Sequence, residues 1–448
     1  MSSQSNQLQQ ALDRALPLID GIGGVVPVLS ELPRPYGYPD FYVYSTDSLH
    51  MSSISNNKSP RGEGSLPKIA GVGISTNVLE AKVKALGETI ERYCMSIHAK
   101  EQFVLATANE LGDQAIDLDQ IARCHPDEPG IRSGVLSLPR KDVPMNWVKG
   151  MSLLDGSPRY VPAIMAYLYY QAESREEMIW HPISTGCASH TDLKQAIFSG
   201  MMESLERDAL MITWLHQLPL PHLDLGDPSE WPERLRRNMA AVEESHLRYE
   251  FFDATNDLGI PTVYALQMSD YSSVANTVIC CPALDPYDAV ARIIEEACTL
   301  RLAITSYQGV HPVDRSRPEE IVKLEDCALF YAPIEARQDF DFLLNSPRRR
   351  HIRELPNLDS GNIDENIQLL LKRFQTHGMD VVAVDLTTPE VREAGFWVTR
   401  VVIPQLVPMF PVHVTRFLDT PRLYSAAEAM GYGRFTHADV TTKPQPFS

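Results

Sequence analysis

The sequence predicts a mixed α/β protein. Three observations carry that reading. Long helical stretches at residues 81–100, 192–215 and 288–307 alternate with short strand-like runs. Those runs come in neighbouring pairs, 261–270 with 276–284 and 379–387 with 396–404. No short-period repeat of the solenoid kind runs through the chain.

The elements follow in order. Leu8, Leu12 and Leu16 lie four apart and predict a short amphipathic helix over 7–19. Pro33, Pro35 and Pro39 precede a strand-like FYVYST at 41–46. Residues 51–66 are rich in Ser, Asn and Gly and read as an exposed loop. Over 81–100, Leu86, Ile90 and Tyr93 recur on one side of a helix, and 101–145 reads as a helical excursion with loops. Strand-like residues return at 158–170. Asp192 suits the N-cap of the second long helix, because its carboxylate accepts from the first free amides. The charged segment 345–365, with Arg348, Arg349 and Arg350, reads as a solvated loop, and the tail 436–448 as extended chain.

The chain has 448 residues, 44% hydrophobic and 22% charged, enough to bury a large core without disulfide staples. Its charge is 40 − 58 = −18. That field repels phosphate backbones and argues against a general nucleic-acid binder. ATP needs only a local cationic pocket and a metal, so it stays open. The seven cysteines form no C-x-x-C pair and read as reduced thiols of a cytosolic protein. Residues 1–10 are polar, with no apolar core of a secretory signal. The most apolar late stretch, 396–414, is broken by Arg400, Pro404, Pro408 and Pro411 and is too interrupted to span a bilayer.

Two segments share one pattern. ALGETIERYC carries Glu88, Glu91 and Arg92; GMMESLERDA carries Glu203, Glu206 and Arg207. Positions i and i+3 share a helix face, so each pair of glutamates projects the same way. Small or apolar residues precede both pairs: Ala85, Leu86 and Gly87, then Gly200, Met201 and Met202. Four carboxylates on buried faces are costly unless a cation compensates. Mg2+ takes oxygen ligands, commonly carboxylates together with substrate phosphates. Two such helices facing each other would make a polyphosphate–metal site. Either copy alone reads as a solvated helix face; the repetition is what carries the argument. The third long helix adds Glu295, Glu296 and Arg301, which read either as part of that site or as a salt-bridged surface.

The segments GVGISTNVLEAKVKALGETIERYC, STGCASHTDLKQAIFSGMMESLERDAL, EEACTLR and HGMDVVAVDLTTPEVREAGFWVTRVVIPQLVPMF occur in the order of the YcaO family. From about residue 65 to the end, the chain resembles its azoline-forming cyclodehydratases, the D-type proteins of thiazole/oxazole-modified peptide biosynthesis. The tail KPQPFS resembles their proline-rich C-terminus. The resemblance implies a YcaO-type α/β fold with mixed sheets and long helices around a nucleotide site. It divides the chain into an extension (1–64), a catalytic domain (65–435) and a tail (436–448). It implies ATP and Mg2+ as cofactors and a ribosomal precursor peptide as substrate. By position, Glu88, Glu91, Glu203 and Glu206 would ligate metal. Lys84, Glu88, Arg92, Gln195, Arg207, Glu296 and Arg301 would bind the nucleotide. Pro444, Pro446 and Ser448 would serve the peptide at the catalytic centre.

The chain departs from the family pattern in several places. Lys84 stands where Ser is usual, Thr191 and Gln195 where Asn and Glu are, and Thr299 where Gln is. The G-K-G-like turn is Gly71-Val72-Gly73, and Gln405 replaces the usual Gly after Pro404. Lys84 adds a positive charge and Gln195 removes a negative one, either weakening the metal site or tuning it for another phosphate geometry. Both E-x-x-E-R cores are intact. The first 64 residues lack the pattern of an E1-like leader-binding domain, so the resemblance implies a separate E1-like partner. A flavin-dependent azoline dehydrogenase is a further expected neighbour, and a homodimer within a larger complex the expected assembly. No glycine-rich dinucleotide fingerprint appears.

Smaller signals are read mainly as structural. His181 and His190 flank STGCAS and read as satisfied histidines, with a proton shuttle as the alternative. Cys187 has no base at a recognisable spacing; Cys280 and Cys281 read as core, and Asp208 as an orienter of Arg207. Three other functions stay open: a thioamide-forming enzyme of the same type, a non-catalytic scaffold of the synthetase, and an unrelated acidic metal-binding protein.

Overall fold

The computed structural model describes residues 3–47, 49–50, 68–308 and 312–447. The loop expected over 51–66 and the chain end Ser448 lie outside the described residues.

The chain begins with α1 (Ser3–Ala15), followed by β1 (Leu29–Glu31) and β2 (Tyr42–Thr46). β3 (Val72–Ser75) joins them in an antiparallel sheet of order β1-β2-β3. α2 (Val78–Ser96) follows at once. Then come β4 (Phe103–Ala106), β5 (Met145–Ser152), β6 (Pro158–Pro162), β7 (Cys187–His190) and α3 (Leu193–His216). Next are β8 (His222–Asp224), α4 (Glu233–Glu243), β9 (Arg248–Asp253), β10 (Thr262–Met268), β11 (Asn276–Pro282) and α5 (Pro286–Tyr307). The chain closes with β12 (Arg349–His351), α6 (Ile363–Thr376), β13 (Val382–Asp385), β14 (Trp397–Val402) and α7 (Pro421–Ala429).

A second sheet runs β11-β10-β9-β8-β12, antiparallel except for the parallel pair β8/β12. A third runs β4-β5-β13-β14-β7, with β6 paired to β5, antiparallel throughout. The three long helices lie between these sheets. α2 packs on β2, β3 and β7, α3 on β14, β7 and β11, and α5 on β11, β10 and β3. α3 is buried along most of its length, as its apolar composition on all sides demands. Packing thereby buries Glu206 and Glu295 and leaves Glu88, Glu91 and Glu203 half-buried.

Side-chain caps fix all three starts. Asn77 Oδ1 accepts from the Leu79 and Glu80 N–H groups, Asp192 Oδ1 from Lys194 and Gln195, and Asp285 Oδ1 from Tyr287. The second helix matches its expected span within a residue. The first begins three residues earlier and ends at Ser96, where Ile97 turns extended. The paired strands near 262–282 and 382–402 form as expected.

Three local expectations need correction. Residues 103–106 are a strand, because β5 supplies a cross-strand partner some forty residues away, and only short helical turns follow. The run 158–170 is strand only to Pro162; Ala163–Ala166 forms a helical turn. Arg349 and Arg350 lie in edge strand β12, and Arg350 pairs with the buried Asp253 at 2.6 Å. All seven cysteines are free and buried, and no helix among the described residues is long and apolar enough to cross a membrane.

Candidate active site

Glycines set the two acidic helices. β3 lies so close on α2 that a Cβ on Gly73 or Gly71 would collide with the carbonyl oxygens of Ala81 or Ala85. That approach lets the Val72 N–H donate to Glu88 Oε2 at 2.7 Å. The second copy repeats the device. Gly186 has φ +84°, and a Cβ on Gly200 would strike its carbonyl. The Gly186 N–H donates to Glu203 Oε2 at 2.9 Å. In both copies the first glutamate is thus aimed by a backbone amide from the segment before its helix. The helices approach each other through β7, where Ser189 Oγ donates to the Gly87 carbonyl at 2.7 Å.

Each arginine pairs with the glutamate four residues earlier. Arg92 lies 2.6 Å from Glu88 Oε1 and donates to the Ala70 carbonyl. Arg207 lies 3.2 Å from Glu203 Oε1 and 3.2 Å from Glu206 Oε1. Its Nε is buried with no partner, and its Nη1 has only the ion-pair contact with Glu206. The Phe447 ring covers its flat face, with the guanidinium carbon 4.3 Å from the ring centroid.

The remaining carboxylates are crowded. Burial pushes the Glu91 carboxyl well up, and Glu203 and Glu88 push it further, against Arg92 and Arg400. Burial raises Glu206 to about 8; Arg207 opposes this, and Glu296 and Glu203 add to it. The ligand atoms of Glu206, Cys281 and Glu296 lie within 4.8 Å of one another, joining α3, β11 and α5. Arg400, only 4% exposed, sits behind this array on β14 and donates to the Ile183 carbonyl. Carboxylate oxygens that resist ionising in one another's company, beside an arginine Nε without an acceptor, fit a divalent cation and a phosphate chain. Among the described residues the group of Glu206, Cys281 and Glu296 is the one that gathers three possible ligands within 4.8 Å, and of the four expected metal ligands it contains Glu206 alone.

The other expected residues fall into place differently. Lys84 is committed to a latch, with Nζ 2.6 Å from the buried Glu295 and 3.1 Å from Glu80. Arg234 completes the latch, 2.8 Å from Glu295. Arg301 does not reach the site. It is fully buried and gives its guanidinium to the Gln267 side chain and the Val274 carbonyl, so the phosphate contact expected of it is corrected to a structural role. Gln195 stands in the first turn of α3, its backbone N–H held by Asp192. Glu296 is exposed at the cluster's rim. Pro444 and Pro446 are buried, and the tail they belong to ends against Arg207.

Asp208 does not orient Arg207. It accepts from Arg422, Asn256 and the Val407 N–H, tying α3 to α7. His181 is buried and bonded to Thr415, while His190 is exposed and accepts from the Asp192 N–H. Burial drives the Cys187 thiol well up, which suits no nucleophile. Sequence reasoning missed Arg400, Cys281, Phe447 and the two backbone donors. A lone arginine in the strand-like FWVTRVVIP was the available signal for Arg400. The Gly71-Val72-Gly73 turn, STGCAS and the KPQPFS tail marked the segments of the two donors and of Phe447, but not their roles, and Cys281 read only as core.

The model of a family described as YcaO cyclodehydratase, ATP- and Mg2+-binding, matches residues 72–407. An uncharacterised protein in the tfuA 3' region of Rhizobium leguminosarum bv. trifolii is 28% identical over 302 residues, 65% of this chain and 65% of its own. A solved heterocyclase in complex with substrate and cofactor aligns with TM-score 0.80 at 23% identity, covering 98% of this chain and 57% of that one. This chain therefore spans less than two thirds of both of those proteins. The YcaO protein of Methanopyrus kandleri, bound with AMPPCP and Mg2+, aligns with TM-score 0.64 at 16% identity over 90% of this chain and 91% of its own. The E. coli microcin synthetase McbBCD complex with pro-MccB17 bound aligns with TM-score 0.61 at 14% identity, covering 96% and 99%. These structural likenesses establish the fold: mixed sheets and long helices in the arrangement of YcaO heterocyclases.

Proposed function

The chain belongs to the YcaO family, whose cofactors are ATP and Mg2+, and we propose that it is a peptide cyclodehydratase. It would convert Cys, Ser or Thr residues of a ribosomal precursor peptide to thiazoline or oxazoline rings. The observation that carries the reading is the meeting of two E-x-x-E-R helices whose first glutamates are aimed by backbone amides, with the unpartnered Nε of Arg207 beside them.

The chemistry asks for such a site. A side-chain thiol or hydroxyl attacks the preceding amide carbonyl, and the resulting oxyanion accepts the γ-phosphoryl group of ATP. Phosphate then departs with that oxygen as the amide nitrogen loses its proton, leaving a C=N bond, ADP and inorganic phosphate. Amide oxygen alone is a very poor leaving group. The protein's task is to position the phosphates and offset their charge. Glu88, Glu91, Glu203 and Glu206 would hold Mg2+, Arg92 and Arg207 would meet phosphate oxygens, and Glu296 and Gln195 would border the nucleotide. Pro444 and Pro446 would face the peptide. Lys84 would act indirectly, through its latch on Glu295.

A separate E1-like protein would present the leader of the precursor, and a flavin-dependent dehydrogenase would oxidise the rings. That the microcin synthetase is a multi-protein complex supports such partners. A homodimer within the complex is the assembly we propose. The test is direct: incubate the protein with its E1-like partner, precursor peptide and Mg2+·ATP, then weigh the peptide. Loss of one water per ring with matching ADP release is expected. A peptide of unchanged mass with no ATP consumed overturns the reading. Replacement of oxygen by sulfur would mark a thioamide-forming enzyme instead. Full product yield from Glu203→Ala would mark a scaffold.

A further inference from the structure

We propose that Phe447 is a positioning residue for the nucleotide's phosphates: its ring fixes the Arg207 guanidinium when the glutamates give it up. The inference rests on the nucleotide reading of the site and deepens it. Arg207 is held by Glu203 and Glu206, at 3.2 Å each. Those are the carboxylates that a bound Mg2+ would claim. An arginine released by both would regain rotamer freedom and lose the geometry for bidentate phosphate contact. The Phe447 ring, 4.3 Å from the guanidinium carbon, attracts the cation without using either carboxylate. It leaves the guanidinium edge free: Nε has no partner, and Nη1 and Nη2 are the atoms that Glu206 and Glu203 would release.

The ring is itself held firmly. Gln445 is fully buried, and its amide clamps Phe447 at both backbone groups: Nε2 donates to the Phe447 carbonyl and Oε1 accepts from its N–H, each at 2.7 Å. The buried Tyr331 hydroxyl donates to the Pro444 carbonyl at 2.6 Å. Lys443 pairs with Asp339 at 2.6 Å. The last residues of the described chain thus form a braced platform under one catalytic-site arginine. Docking of the tail and grip on the phosphates are one event.

Calorimetry on the full chain tests this, using Mg2+·AMPPCP and, separately, adenosine. Phe447→Leu keeps apolar bulk but removes the aromatic face. It should weaken Mg2+·AMPPCP binding about three- to tenfold, the range of a partly desolvated cation–π contact, and leave adenosine binding unchanged. Phe447→Trp should restore wild-type affinity. Gln445→Met, which keeps volume and loses both clamping bonds, should show the same phosphate-selective loss. Wild-type affinity in Phe447→Leu, or equal loss for both ligands, overturns the inference and leaves Phe447 as packing. A wild-type protein that binds no Mg2+·AMPPCP overturns the nucleotide reading itself.

Discussion

Glu91 concentrates the electrostatic problem of the site in one side chain. Burial and the nearby Glu203 and Glu88 all disfavour its charged form. Glu91→Gln should therefore keep or gain stability as a free protein. Wild type should gain about 2.7 kcal/mol from Mg2+·ATP supplied at a hundred times its Kd, and the variant should lose most of that gain. Melting curves with and without Mg2+·ATP check this; a full ligand shift in the variant would remove Glu91 from the site. His413 carries a different signature. Burial, with Arg416 adding, lowers its pKa from 6.5 to about 4. The unfolded chain therefore takes up the proton first as pH falls. The stability His413 contributes is complete above pH 6.5 and is lost progressively towards pH 4. His413→Gln should flatten the stability profile across that window, measured by denaturant unfolding at stepped pH. Of these residues, Glu91 was legible from its spacing. His413 was not, because its environment is built by distant chain.

The helices were readable as elements because their signals are local. Asp192 was visible as a cap, and the E-x-x-E-R repeat declared a common face before any partner was known. What the repeat could not reveal is how each helix meets its strand. Gly73→Ala would drive a Cβ into the Ala81 carbonyl and part β3 from α2. It should cost about 1–3 kcal/mol in stability. It should also weaken Mg2+·nucleotide binding, because the Val72 N–H would leave Glu88; calorimetry and denaturant unfolding report the two effects separately. The latch between helices makes another prediction. Glu295 is almost fully buried, and burial alone would raise its pKa. Lys84 and Arg234 override that and hold it at about 2. Glu295→Ala would leave Lys84 to Glu80 and Arg234 to Asp288, remove one acceptor of the buried Asn238 amide, and should cost about 1–3 kcal/mol, read from chemical unfolding. A cost under 1 kcal/mol would mean the latch is solvent-relaxed. The span 101–145 was misread for a related reason: β4 is a strand only because β5 stands beside it.

At the scale of the whole molecule, the tail returns to the middle of the chain. The hydroxyl of Tyr331, at the end of the short helix Leu324–Tyr331 that follows α5, holds the Pro444 carbonyl near the end of the described chain. Tyr331→Phe removes a bond of about 1 kcal/mol, so the tail should open about fivefold more often. Faster proteolysis within residues 436–447, with the rest of the chain resistant, would show it; an unchanged rate would place the hold in Gln445 and Lys443. The sequence by itself determined the α/β class, the three long helices and the paired acidic faces, because helix period, caps and charge spacing are encoded within a few residues. Only the tertiary structure decided that Arg301 is spent inside the core while Arg400 stands behind the carboxylates. It alone decided that Lys84 is latched, and that an aromatic ring more than two hundred residues from Arg207 lies against it. Those outcomes depend on desolvation and long-range pairing, which act only once distant segments are brought together.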